Sequence, residues 1–437
     1  MEKIKPRTLT GFMELLPQEQ IEFDRFIEIL RKNYIKYGFY PLDTPVLESS
    51  SVLLAKAGGE TEKQIYRFKK GDTDLTMRFD LTVPLAKYVA LHYNDLSFPF
   101  KRYQIGKVYR GERAQKGRFR EFYQADIDII GDGELSVIHD AEIPSIIYDI
   151  FQSLGIKNFK IRINNRKLLT GFFEIKQLSD KVEDILRTID KLDKIGAEKV
   201  IAELCNLEIA EDTAKDILAF VNTQGSNAEH LAAAEKYAGL NETFDAGLAE
   251  LKTVSECILL FGVPETHYSI DFAIARGLDY YTGTVYETVI TDHPEFGSVC
   301  SGGRYDNLAE FYTDKKLPGV GISIGATRLF SVLKETGFFD FDKASPIDAL
   351  IVPMTQDMPY CIRAMAALRN AGVKTQIYFE DKKLKKKMTY ANKINAPFAI
   401  LIGDDEIAAE KVAVKNLETG EQNICSIEEA AQQILQA

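Results

Sequence analysis

The sequence has no stretch that approaches the roughly 20 consecutive apolar residues of a membrane-spanning helix. Its start, residues 1–7, also lacks the apolar stretch of a signal peptide. The five cysteines are scattered and form no C-x-x-C pair, which argues against a disulfide framework and against a cysteine zinc site. The five histidines are equally dispersed, so we expect no histidine-built metal centre. These absences predict a soluble protein of the reducing cytoplasm.

The charge of the chain is unevenly distributed. At 437 residues, with 45% apolar and 27% charged residues, the sequence is typical of a globular protein of two or three domains. Its net charge of −11 hides two basic clusters: residues 101–120 carry eight Lys or Arg against one acid, and residues 382–387 carry five lysines. Each cluster is either a phosphate-binding patch or a solvated surface, and composition alone leaves both open.

Up to residue 330 the chain has strand patterns interrupted by one long helical segment. A helix is predicted at 19–37, ended by Gly38, and the extended stretch at 40–48 contains two prolines that favour an edge strand. Residues 170–255 have helical periodicity, which we interpret as an insertion within the first domain, and strand signals resume from 267 to 327. The shorter predicted elements are strands at 75–79, 102–109 and 122–130, a helix at 84–93, and a charged loop at 111–118.

The C-terminal quarter has a different pattern, in which strands and helices alternate. This alternation predicts a small α/β domain with a mixed sheet. The predicted elements are strands at 349–354, 374–379, 398–402, 412–417 and 422–425, and helices at 358–371, 382–394 and 427–436.

Two segments combine arginine, tyrosine and glycine in a way that suits the floor of a ligand pocket. They are Arg-Gly-Leu-Asp-Tyr-Tyr-Thr-Gly-Thr-Val-Tyr-Glu at 276–287 and Ser-Gly-Gly-Arg-Tyr-Asp at 301–306. An arginine can bind a carboxylate or phosphate through two parallel hydrogen bonds, and a tyrosine offers a ring with a polar tip. Glycines let the backbone approach a ligand closely.

Two further segments carry features of a nucleotide site. If residues 108–122 form strand, loop and strand, then Arg110, Glu112 and Phe122 could hold phosphate, exocyclic amine and base; the alternative is a solvated basic hairpin. At 319–329 a glycine-rich strand enters a helix that begins near Arg328, a pattern that is equally typical of tight packing.

The segments at 276–287 and 301–306 resemble the two histidine-specific motifs of histidyl-tRNA synthetases. Residues 108–122 and 319–329 resemble motifs 2 and 3 of class II synthetases, and the helix at 19–37 with the Pro45 strand is loosely similar to motif 1, the dimer segment. The resemblance implies a homodimer with an α+β catalytic domain at 1–330, which has the antiparallel sheet of the class II fold and contains the helical insertion. A linker at 331–345 and an α/β anticodon-binding domain at 346–437 would follow.

The resemblance also implies a reaction: ATP and L-histidine form histidyl-adenylate, and the histidine is then transferred to tRNA(His). Asp80 and Thr82 match positions that hold the α-ammonium of histidine. The other implied histidine-binding residues, which surround the imidazole or the carboxylate, are Gln124, Asp128, Tyr280, Tyr281, Arg110 and Arg276. An imidazole offers one donor and one acceptor, which an acid and a tyrosine hydroxyl complement.

For catalysis, the resemblance implies that Arg110 bridges the histidine carboxylate and the ATP α-phosphate, and that Arg276 stabilises charge there during in-line attack. The remaining ATP-binding residues are Glu112 and Phe122 at adenine, with Arg118 and Arg328 at the outer phosphates. Mg²⁺ on those phosphates is implied by the class and by charge balance.

For tRNA, the resemblance implies that Gln115 and Arg120 contact the acceptor end, and that the lysines at 382–387 are candidate phosphate contacts. Two positions depart from the family pattern. Thr327 stands where motif 3 usually has a glutamate, a position that bears on how Arg328 or the metal is held, and Ala114 stands where motif 2 often has proline.

Three other functions compete with ligase activity. A regulatory subunit of histidine biosynthesis would resemble the catalytic domain but lack the C-terminal domain and intact histidine motifs. A synthetase-like sensor would need an attached kinase sequence. A sister synthetase would not carry the segment at 276–287.

Overall fold

The protein folds as two compact units, seen in a computed structural model that describes residues 3–55, 64–113, 117–274 and 281–437. One unit comprises Met1–Met13 with Phe26–Glu335, and the other comprises Glu14–Arg25 with Thr336–Ala437. Helix α12, Ala326–Glu335, extends past the expected end of the catalytic domain at residue 330. Within the described ranges, no helix is both long and apolar enough to cross a membrane.

An eight-stranded sheet forms the centre of the first unit. Its strands are β1 Tyr40–Pro41, β5 Phe100–Tyr109, β6 Glu121–Ile130, β7 Phe159–Asn165, β8 Tyr268–Ile270, β9 Thr284–Ile290, β10 Ser298–Tyr305 and β11 Gly319–Ile324. They lie in the order β1-β5-β6-β11-β10-β9-β7-β8, and the pairings are antiparallel except for parallel β1–β5 and β7–β8 at the two edges. A smaller antiparallel sheet contains β2 Leu47–Ser49, β3 Arg67–Lys70 and β4 Thr73–Met77. The predicted antiparallel fold is confirmed.

Helices cover the sheet and form a separate cluster after β7. The helices before β7 are α1 Pro17–Lys36, α2 Ser50–Leu53, α3 Thr82–Leu91 and α4 Ile138–Ser153. Those after β7 are α5 Arg166–Ile175, α6 Val182–Ile189, α7 Leu192–Ile195, α8 Ala197–Asn206, α9 Glu211–Val221, α10 Asn227–Glu235 and α11 Glu242–Leu260. In this cluster the ring of Phe220 stacks between Phe172, at 4.2 Å, and Phe272, at 4.8 Å. The helical region that the sequence predicts is therefore present, and Phe272 joins its core to the chain that follows β8.

The second unit contains a mixed five-stranded sheet, as predicted. Its strands are β12 Ala349–Pro353, β13 Thr375–Ile377, β14 Phe398–Ile402, β15 Val412–Asn416 and β16 Gln422–Cys425, in the order β13-β12-β14-β15-β16. Its helices after residue 336 are α13 Met358–Asn370, α14 Leu384–Lys393, α15 Asp404–Ala408 and α16 Ile427–Gln436.

One member of the lysine cluster at 382–387 is not a surface residue. Lys387 is buried, and its Nζ donates a hydrogen bond to the carbonyl oxygen of Pro353 at 2.7 Å. The prediction that all five lysines are candidate phosphate contacts is therefore wrong for Lys387, because helix α14 turns this side chain inward. The other four lysines are exposed.

Candidate active site

A pocket of about 540 Å³ lies in the first unit, with strands β6, β9, β10 and β11 contributing to its walls. Ten residues that the sequence predicts as ligand contacts line it: Asp80, Thr82, Arg110, Glu112, Arg118, Phe122, Gln124, Asp128, Tyr281 and Arg328. Three others, Gln115, Arg276 and Tyr280, lie outside the described residues. Side chains from distant parts of the sequence thus meet around one cavity.

The sheet register explains why polar side chains meet there. Successive residues of a strand point to opposite faces, so Gln124, Asp126 and Asp128 share one face of β6. The register pairs Asp126 with Ser323, Ser323 with Ser301 on β10, and Ser301 with Glu287 on β9. All four of these side chains line the pocket. A polar row therefore crosses the floor over three strand spacings, or about 14 Å.

Asp128 is held by two partners. The Arg102 guanidinium, which is fully buried, lies 2.6 Å from its Oδ2, and the Tyr305 hydroxyl donates to its Oδ1 at 2.6 Å. Burial raises the pKa of Asp128, while Arg102 and Tyr305 act in the opposite direction. Arg102 is therefore a buried partner of the pocket and no part of a basic surface patch at 101–120.

Asp126 and Gln124 present acceptor atoms that no other described group fills. Gln124 donates its Nε2 to Ser323 Oγ at 2.6 Å, yet its Oε1 is buried without a hydrogen-bond partner among the described residues. Asp126 Oδ1 is likewise buried without a hydrogen-bond partner among the described residues. Burial raises the pKa of the Asp126 carboxyl to about 7, although the charge of Arg102 lowers it. A buried acceptor without a donor costs stability, so both atoms favour a ligand that brings N–H groups.

Asp80 and Thr82 lie where the chain enters helix α3. Asp80 Oδ1 accepts a hydrogen bond from the backbone N–H of Val83 at 3.1 Å. Burial raises the pKa of the Asp80 carboxyl to about 6, although that hydrogen bond and the charges of Arg110 and Arg102 lower it. The carboxyl is thus placed at the pocket wall and available to a cationic group.

The β5–β6 hairpin supplies an arginine, an aromatic ring and a charged pair. Arg110 Nε donates to the carbonyl oxygen of Phe79 at 2.8 Å, and its guanidinium lies 5.2 Å from the centre of the Phe122 ring. Glu112 pairs with Arg118 at 3.2 Å. Because its Nε is already fixed, Arg110 presents the rest of its guanidinium in one orientation, which suits an anionic ligand.

Arg120 is not among the residues that line the pocket. Its Nε donates to the carbonyl oxygen of Glu112 at 3.1 Å, and its backbone N–H donates to the carbonyl oxygen of Gly11 at 2.8 Å. The side chain supports the hairpin backbone in this structure.

The position that departs from motif 3 has a role in packing. Thr327 is buried, and its Oγ1 accepts a hydrogen bond from the backbone N–H of Tyr123 at 2.8 Å. The adjacent Arg328 donates its Nη2 to the carbonyl oxygen of Phe296 and lines the pocket. Thr327 thus connects α12 to β6 while Arg328 remains at the wall.

One glycine of the 319–329 segment is required by close contact. A Cβ at Gly321 would lie 2.3 Å from Asp128 Oδ1 and 2.4 Å from the carbonyl oxygen of Ile127. Any side chain at this position would displace the carboxylate that Arg102 and Tyr305 hold.

Sequence reasoning missed several residues of the pocket. Asp126, Glu287, Ser301 and Ser323 line it but were not predicted, although the alternation of β6 would have indicated Asp126, two residues from both Gln124 and Asp128. Arg304, the arginine of the 301–306 segment, is not among the residues that line the pocket. It binds the buried carboxylate of Asp140, with Nη2 2.6 Å from Oδ1. This pair holds β10 against helix α4.

Known proteins share both the sequence and the fold. Residues 11–329 match the family model "Histidyl-tRNA synthetase", and residues 348–437 match the model "Anticodon binding domain". The histidine–tRNA ligase of Clostridium tetani is 55% identical over 98% of this chain and 97% of its own length. That of Stenotrophomonas maltophilia is 49% identical over 95% of this chain and 94% of its own length.

A solved structure supports the same assignment. The crystal structure of histidyl-tRNA synthetase from Nostoc sp. PCC 7120 is 41% identical and superposes with a TM-score of 0.92, covering 99% of this chain and all of that one. The family match covers more than half of the chain and includes every strand of the pocket floor. With a pocket lined by the residues that the motifs predict, the chain belongs to the histidyl-tRNA synthetase family.

Proposed function

We propose that this chain, a histidine–tRNA ligase by its family and relatives, carries out both half-reactions in the pocket described above. A histidine carboxylate oxygen attacks the α-phosphorus of ATP, and pyrophosphate leaves. The terminal ribose hydroxyl of tRNA then attacks the carbonyl carbon of the adenylate, and AMP leaves. The observation that carries the proposal is that one cavity is lined both by buried aspartates, Asp80, Asp126 and Asp128, and by the arginines Arg110, Arg118 and Arg328.

The aspartates of the lining are assigned to histidine. Asp80 and Thr82 receive the α-ammonium, and the raised pKa of Asp80 returns toward its ordinary value when a cation arrives. Gln124, Asp128 and Tyr281 surround the imidazole. The open acceptor atoms of Gln124 and Asp126 support this assignment, because histidine brings N–H donors that most amino-acid side chains lack.

The arginines of the lining are assigned to ATP. Arg110 bridges the histidine carboxylate and the α-phosphate, and Phe122 with Glu112 receives the adenine. Arg118 and Arg328 bind the outer phosphates, and Arg276 stabilises the charge that develops at the α-phosphate. The fixed orientation of Arg110 supports its role at the histidine carboxylate and the α-phosphate, because pre-oriented donors stabilise a transition state without reorganisation.

Mg²⁺ enters the proposal only as the counter-ion that ATP brings. Within the described ranges, no group of three His, Cys, Asp or Glu side chains is arranged to hold a metal. Thr327, whose hydroxyl is already hydrogen-bonded, adds no carboxylate at the usual motif 3 position.

The remaining assignments concern tRNA and assembly. Gln115 and Arg120 are assigned to the acceptor end, and the exposed lysines of 382–386 to tRNA phosphates. We also propose a homodimer formed through the α1 segment, and a domain division at 1–330, with its insertion at 170–255, a linker at 331–345 and an anticodon-binding domain at 346–437. The match of residues 348–437 to an anticodon-binding model supports the last boundary.

The regulatory-subunit alternative is disfavoured because residues 348–437 match an anticodon-binding model, a domain that such a subunit would lack.

Replacement of Arg276 by alanine tests the catalytic assignment. Arg276→Ala should slow adenylate formation at least about a hundredfold, with little change in the KM for histidine, because the lost charge acts mainly in the transition state. The matched control is Arg187→Ala, which removes an exposed arginine of α6 far from the motifs in sequence. A folded Arg276→Ala enzyme with near-normal rates would contradict the assignment.

A further inference from the structure

The chain just before the Arg276 segment is held by a buried asparagine. Asn164 lies on β7 with no exposed surface, and its Nδ2 donates to the carbonyl oxygens of Phe272, at 3.2 Å, and Ile274, at 3.0 Å. Phe272 also stacks on Phe220 of helix α9. The described chain that ends at residue 274 is therefore fixed by hydrogen bonds and by a ring contact.

An ion pair fixes the same turn from a second side. Arg162, two residues before Asn164 on the same face of β7, places its Nε 2.6 Å from Asp271 Oδ2. The other oxygen of Asp271 accepts a hydrogen bond from the backbone N–H of Ala273 at 2.9 Å. Because Asp271 also shapes the backbone of the turn, a movement of Arg162 would be transmitted to Ala273.

Arg162 also reaches the wall of the pocket. It pairs in register with Glu287 on β9, and its Nη1 lies 3.7 Å from Glu287 Oε2. Glu287 lines the pocket and is nearly buried, while Arg162 and Asp271 are about three-quarters buried. At this depth solvent screens the charges only partly, so the interactions are stronger than those of an exposed pair. One guanidinium thus connects the pocket wall to the turn at 271–274.

The other side of the segment is held as well. Thr282 donates its backbone N–H to the carbonyl oxygen of Arg304 at 2.8 Å, and its hydroxyl donates to Asp306 Oδ2 at 2.7 Å. The chain is therefore held both at 271–274 and at Thr282. Among the contacts that hold residues 271–274, the ion pair of Arg162 with Asp271 is the least buried. It is therefore the contact whose loss alters the turn with the least damage to the core.

We propose that Arg162 is a positioning residue for the adenylation step, and that it acts by holding the turn at 271–274, from which the chain continues to Arg276. The inference rests on the proposed role of Arg276. Arg162 binds no substrate in this account. Only Ala275 lies between Ile274 and Arg276 in the sequence, so we expect a shift of the turn to displace the catalytic arginine. Misplacement of a catalytic group by about 1 Å can cost roughly a hundredfold in rate.

A double-mutant cycle tests this proposal in the full-length enzyme. Single-turnover adenylate formation is measured for Arg162→Met, Arg276→Ala and the double variant. Arg162→Met should slow the reaction about 10- to 100-fold with little change in the KM for histidine, and Arg162→Lys should recover part of the loss. In the Arg276→Ala background, Arg162→Met should slow adenylate formation less than about twofold, because there is no longer a catalytic arginine to misplace.

Two further variants keep the test decisive. Lys160→Met is the matched control, since Lys160 lies on the same face of β7 but donates to the carbonyl oxygens of Glu265 and Thr266. It should leave the rate within about twofold. Asp271→Asn removes the same ion pair with no change of volume, and should reproduce the Arg162→Met pattern even if that variant folds poorly.

The outcomes separate the inference from the function on which it rests. Equal losses in the presence and absence of Arg276, or no loss from Arg162→Met and Asp271→Asn, would overturn the positioning role of Arg162. Near-normal activity of Arg276→Ala alone would instead overturn the proposed role of Arg276.

Discussion

The buried carboxyl of Asp126 makes the folded protein less stable as the pH rises. Replacement of Asp126 by asparagine should remove this loss of stability. The pKa of the buried carboxyl is about 7 in the folded protein, against an ordinary value of 3.8. Between these values the folded state keeps a proton that the unfolded state has released. The stability that depends on this proton is complete below pH 3.8 and is lost as the pH rises through 7.

The size of the effect follows from the shift. Each pKa unit corresponds to about 1.4 kcal/mol, so the raised pKa of Asp126 lowers the stability by about 4 kcal/mol at pH 8.5 and by less than half as much at pH 5. The side chain of asparagine cannot ionise in this pH range. Asp126→Asn should therefore gain about 3 kcal/mol relative to the original protein when the pH is raised from 5 to 8.5.

The assay is urea denaturation of the ligand-free protein at both pH values, with the transition of the first unit assigned by hydrogen exchange of β6. Asp314→Asn, at an exposed carboxylate, is the control and should show the same pH dependence as the original protein. If Asp126→Asn also follows the original protein within about 0.5 kcal/mol, the raised pKa that burial gives Asp126 would be refuted.

Three other substitutions test individual contacts. Phe122→Leu should raise the KM for ATP about tenfold and leave that for histidine nearly unchanged, because a stacked ring contributes about 1–3 kcal/mol per base; steady-state kinetics decides. Thr327→Val should destabilise the first unit by about 1–3 kcal/mol by removing the hydroxyl that accepts from the Tyr123 N–H, whereas Thr327→Ser keeps that hydroxyl and should cost less; denaturation of both variants measures the difference. Gly321→Ala should abolish histidine binding in calorimetry, since its Cβ would collide with Asp128, and normal affinity would contradict the described geometry.

Much of the fold was predictable where local signals and packing agree. The predicted bounds of β14, β16 and α16 match the structure, and α16 shows why. Ser426 and Glu429 form a capping box that marks the start of this helix in the sequence itself. Around α14 the signals conflict. Ala391 is buried and lies four residues after Lys387, so helical spacing puts Lys387 on the inner face, but its charge suggested a solvated surface.

Only those site residues that belong to a recognisable sequence motif were predictable. Gln124 and Asp128 belong to a motif, whereas Ser301, Ser323 and Glu287 join Asp126 through strand register between distant segments. Register depends on the whole sheet, so no local pattern indicates which serine lies opposite which carboxylate. For the same reason the sequence does not indicate that Arg102 pairs with Asp128, and by its charge alone Arg102 belongs to the basic cluster at 101–120.

The most direct test of the central claim is histidine-dependent exchange of labelled pyrophosphate into ATP, with purified protein, Mg²⁺ and no tRNA. The account predicts exchange with histidine and none with the other nineteen amino acids, and a loss of exchange in Arg276→Ala. Absence of exchange in a folded protein that still binds histidine by calorimetry would contradict the account and favour a regulatory subunit.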